Sequence, residues 1–118
     1  MTKVAVLCWE ESRPWVSALR QKGYSVPWVD EPKGEAYKQI PTVEPDVVLV
    51  DLTKAPDRGR EMVIHLADQA DMRGIPIVLV SERQTAARGL KTRVDPLIVT
   101  TPTKIVSAVT TALSVART

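Results

Sequence analysis

Pro45-Asp46-Val47-Val48-Leu49-Val50-Asp51-Leu52 is the stretch on which the fold turns. An unbroken apolar run, rich in β-branched residues, stops abruptly at a carboxylate. A strand with one wet face alternates apolar and polar residues, whereas a continuous apolar run is buried on both faces. Val4-Ala5-Val6-Leu7 has the same character, and so does Ile77-Val78-Leu79-Val80, which closes at Ser81. Pro96-Leu97-Ile98-Val99 is a fourth run of this kind. Tyr24-Ser25-Val26-Pro27-Trp28-Val29 reads as a further strand. Pro27 cannot donate to a ladder, so that strand belongs at a sheet edge.

Between the strands the pattern becomes helical. Ser12 is a candidate N-cap, Pro14 suits a first turn, and Trp15, Val16 and Leu19 share one face before Gly23 stops the helix. Residues 30–46 are the least regular, with Pro32, Gly34, Pro41 and Pro45, and hold at most a short helix over Glu35 to Ile40. A loop with Pro56 and Gly59 follows Asp51. The spacing then predicts a helix from about Arg60 to Arg73, ended by Gly74, with Met62, Val63, Leu66, Ala67 and Ala70 inward. Ile64 falls on its outer face, and His65 lies beside the apolar stripe as a solvated side chain. A basic helical stretch, Thr85 to Lys91, precedes the Pro96 strand. Thr101-Pro102 is expected to cap a last helix carrying Ile105, Val106, Val109, Ala112 and Leu113. Trp15 is expected to pack against it.

The order is strand then helix, five times over. All-apolar strands alternating with one-faced helices require a parallel sheet covered on both sides. Right-handed crossovers leave the doubly wound order 2-1-3-4-5 as the best fit. In such sheets chemistry collects beyond the carboxyl ends of the strands. The residues there are Cys8, Trp9, Glu10, Glu11, Asp51, Leu52, Thr53, Ser81, Glu82 and Thr101.

Composition narrows the function classes. The 118 residues suit one domain, expected to span 1–118, and 44% hydrophobic with 25% charged residues is ordinary for a globule. One cysteine excludes a disulfide framework, and one histidine excludes a multi-histidine metal centre. No apolar run approaches the ~20 residues that cross a bilayer, so no membrane partner is expected. The N-terminal MTKVAV is too short in apolar residues for a signal peptide, and a reducing cytoplasm is the expected compartment. A net charge of +2 does not argue for nucleic acid.

At this point the chain resembles the receiver domain of two-component response regulators, over nearly its whole length. The residues that carry the resemblance are Pro45 to Leu52 with Pro56 and Gly59, Gly23-Tyr24-Ser25-Val26, and Ile75-Pro76 leading into the Ile77 strand and Ser81. The resemblance implies a flavodoxin-like three-layer α/β sandwich. It gives Asp51 the phospho-acceptor position and Ser81 the hydroxyl that binds the phosphoryl oxygen. Thr101 takes the position of the usual lysine. The two acids that hold a divalent cation in that family correspond to Cys8 and Trp9, with Glu10 and Glu11 one or two residues late. Phosphoryl transfer to a carboxylate brings negative charge onto negative charge, so it requires a metal ion and a fixed cation. An indole at Trp9 and a missing ammonium group at Thr101 remove both.

The expectation is therefore a pseudo-receiver, a signalling module that acts through protein–protein contacts, needs no cofactor and has no catalytic residue. Its partner would be a protein, such as a histidine kinase or an output domain, or a second copy in a homodimer. Trp28 in the edge strand and the basic residues Arg83, Arg88, Lys91 and Arg93 are the candidate interface. Two alternatives stand beside this. Asp51 could be phosphorylated in an atypical receiver with magnesium, rather than serving as a strand-end carboxylate that caps backbone amides. Or Cys8 could serve a phosphate-handling enzyme. Cys8 to Arg13 is placed like the phosphate loop of low-molecular-weight tyrosine phosphatases and the phospho-cysteine loop of sugar-phosphotransferase IIB subunits. It is one residue short, lacks glycine, and has two carboxylates that disfavour a thiolate.

Overall fold

The apolar runs of the sequence are the strands of a parallel sheet in the structure, a computed structural model that describes residues 2–7, 14–26, 28–29, 36–53, 56–69, 74–82 and 97–116. The elements are β1 (Val4–Leu7), α1 (Pro14–Gln21), β2 (Trp28–Val29), α2 (Ala36–Val43), β3 (Val47–Asp51), α3 (Pro56–Ala67), β4 (Ile77–Val80), β5 (Leu97–Thr100) and α4 (Ile105–Ala116). The expected α/β architecture with a parallel sheet is present. β3 pairs with β1 on one side and β4 on the other, and β4 pairs with β5. The two residues of β2 lie beside β1, with Trp28 opposite Val6.

Alternation along the strands sorts the core into two layers. Ala5, Leu7, Val48, Val50, Ile77 and Leu79 face Ile40 of α2 and Met62, Val63 and Leu66 of α3. Val4, Val6, Val47, Leu49, Val78 and Val80 face Trp15, Val16 and Leu19 of α1 and Ile105, Ala108, Val109, Ala112 and Leu113 of α4. The expected packing of Trp15 against the last helix is observed. Every residue of β1, β3 and β4 is buried, so burial on both faces is what made these runs continuous.

Five local expectations are corrected. The strand expected over Tyr24 to Val29 shrinks to Trp28–Val29 and an isolated bridge between Lys3 and Ser25. Tyr24 belongs instead to the end of α1. Its N–H donates to the Leu19 carbonyl while that of Gly23 donates to Arg20, and Gly23 adopts φ 96°. This is a Schellman closure, which needs the left-handed residue glycine supplies. Second, α2 runs on through Pro41 to Val43. Burial of Ile40 outweighs the helical bond that Pro41 cannot make. Third, α3 begins at Pro56, not Arg60. A first-turn proline forfeits nothing, and Asp57 complements the helix dipole. Gly59 lies inside the helix because a Cβ there would meet the Leu52 side chain. Fourth, α3 is described as ending at Ala67, short of Arg73, and Ile64 packs partly buried against the core rather than facing solvent. Fifth, Thr101-Pro102 does not cap α4. The Lys104 N–H donates to the Thr101 carbonyl, and the Lys104 carbonyl accepts the first helical bond from Ala108 at 3.1 Å. Pro27, Ala70 to Arg73, and the stretch Thr85 to Lys91 lie outside the described residues.

The amino edge of the sheet is tied by Lys3. Its backbone N–H donates to Asp46 Oδ2 at 2.8 Å, and its Nζ donates to the carbonyl of Val43 at the end of α2 at 3.1 Å. Glu44, between them, has φ 55°. It ends α2 in the left-handed region where a side chain is strained.

Gly23 and Glu44, both left-handed, make opposite predictions. Gly23→Ala should lower stability by about 1 kcal/mol, whereas Glu44→Gly should raise it by about 0.5 kcal/mol, since glycine's unfolded-state entropy offsets part of the relieved strain. Urea unfolding of both variants reads the two signs.

Candidate functional site

The carboxyl edge of the sheet gathers three of the expected residues. Register sets Asp51 beside Val80 and Val80 beside Thr100. One step further, the Leu52 N–H donates to the Val80 carbonyl and the Ser81 N–H to the Thr100 carbonyl, each at 2.8 Å. Leu52, Ser81 and Thr101 therefore form the next row, just past the strand ends.

Asp51 is the one charged side chain buried among the described residues, at 1% exposed. An ionised carboxylate at such a place needs hydrogen-bond donors. Thr53 supplies two of them to the same oxygen. Its backbone N–H reaches Asp51 Oδ1 at 2.9 Å and its hydroxyl reaches it at 2.6 Å. This is the Asx arrangement, in which a side-chain oxygen takes the N–H two residues on and turns the chain. Asp51 thus does what a strand-end carboxylate that caps backbone amides would do. It closes β3 and starts the turn toward α3.

Ser81 and Thr101 are half-buried. Thr101 Oγ1 shares a hydrogen bond of 3.1 Å with Thr103 Oγ1, and the Thr101 carbonyl accepts from Lys104. Thr101 is therefore engaged in the turn that leads into α4. Leu7 pairs with Val50, so the first strand ends one row short of Asp51. Cys8 and Trp9 follow it, but they lie outside the described residues, as do Glu10, Glu11, Arg83, Arg88, Lys91 and Arg93. Trp28 is described as backbone beside β1. His65 is exposed, with its Nε2 3.8 Å from Glu61 Oε1 one turn earlier on α3.

Thr53 stood among the residues past the strand ends, but its tie to Asp51 was not anticipated. The two-residue spacing between an aspartate and a threonine was the available signal. Among the described residues, no three His, Cys, Asp or Glu side chains are grouped as a metal site, and no helix is long and apolar enough to cross a membrane. No family model matches this sequence, and no curated protein matches it.

Removing the hydroxyl at Thr53 leaves a buried carboxylate one donor poorer. Thr53→Ala should cost about 1.5–3 kcal/mol, the usual worth of a hydrogen bond to a charged group. Thr53→Ser keeps the donor and should stay within about 0.5 kcal/mol of wild type. Thermal unfolding of the pair checks this.

Proposed function

We propose that this chain is a receiver-like signalling module, of flavodoxin-like fold with five strands in the order 2-1-3-4-5, that works by protein–protein contact and not by magnesium-dependent phosphorylation. The hydrogen-bonded order β2-β1-β3-β4-β5 supports the fold assignment, although β2 contributes only two residues. The division of helices supports it too, with α1 and α4 on one face and α2 and α3 on the other.

One observation carries the functional half. The phospho-acceptor carboxylate of a receiver must meet a phosphoryl donor and a cation in solvent. Asp51 is closed off at 1% exposed, and its Oδ1 is held by both donors of Thr53. The donor set argues the same way. Magnesium takes oxygen ligands in tight octahedral geometry. The positions that would complete its shell hold a thiol at Cys8 and an indole at Trp9. These residues do not fit the ion. At the lysine position, Thr101 offers a hydroxyl already paired with Thr103, which supplies no positive charge for an aspartyl phosphate. The fold is kept as a rigid body that presents its edges and helix faces to a protein partner, and the module is not an enzyme.

Incubation with acetyl phosphate and magnesium, followed by intact mass, tests the chemistry. The expected spectrum is unmodified protein. A phosphate adduct that disappears in Asp51→Asn would restore the working-receiver alternative. The same experiment on the Cys8→Ser variant separates the thiol route, since an adduct lost there points to Cys8.

A further inference from the structure

We draw no further inference here: the strongest candidate, the open groove between α1 and α4, carries nothing, because among the described residues it offers only the exposed Lys22 and Lys104 and the start of a helix, and nothing in the structure points to a ligand there.

Discussion

The backbone ladder on both flanks of β3 is the constraint that the other elements answer. Parallel neighbours on each side cannot be joined by tight turns, so every connection must cross over and return. The crossovers through α1, α2 and α3 lay helices on the sheet, α4 follows β5, and the two faces of β3 are covered by different pairs: α2 and α3 on one, α1 and α4 on the other. With both faces dry, the strand admits only apolar side chains until the ladder ends. Asp51 marks that end. It is the first residue of the strand able to turn the chain, and it does so by spending its oxygen on Thr53. A carboxylate occupied in this way is part of the architecture.

Inner strands were readable because burial on two faces erases periodicity, and nothing else in a sequence of this length does so as plainly. The edges were harder. Val26 and Tyr24 look like strand residues by composition, yet Tyr24 is drawn into the end of α1 by Gly23. Glycine and proline misled in the other direction. Pro41, Pro56 and Gly59 signal breaks, but all three lie within helices. A buried isoleucine, a first-turn position and a close approach to Leu52 decide those cases, and none of these is a local property of the chain. At the carboxyl edge, the nearness of Asp51, Ser81 and Thr101 was legible from strand ends alone, whereas the hydrogen bonds that occupy Asp51 and Thr101 required coordinates.

The turn from Thr101 to Lys104 joins the two places of interest. Its first residue lies in the row beyond the strand ends, and its last three line the groove between α1 and α4. The turn is closed by the Lys104 N–H on the Thr101 carbonyl and by the paired hydroxyls of Thr101 and Thr103. Where a receiver would station a lysine facing its aspartate, this chain has the paired hydroxyls of Thr101 and Thr103.

Lys3 has a bearing on how the molecule is made. It is bonded to Asp46, 43 residues away, because β1 is an interior strand whose principal neighbour is β3. Contacts this distant close slowly, since a long loop must be gathered first. During synthesis the oily tetrapeptide Val4–Leu7 leaves the ribosome well before the strand that shelters it, with only the two residues of β2 arriving in between. Until Val50 has emerged the nascent chain displays a sticky, unpaired segment.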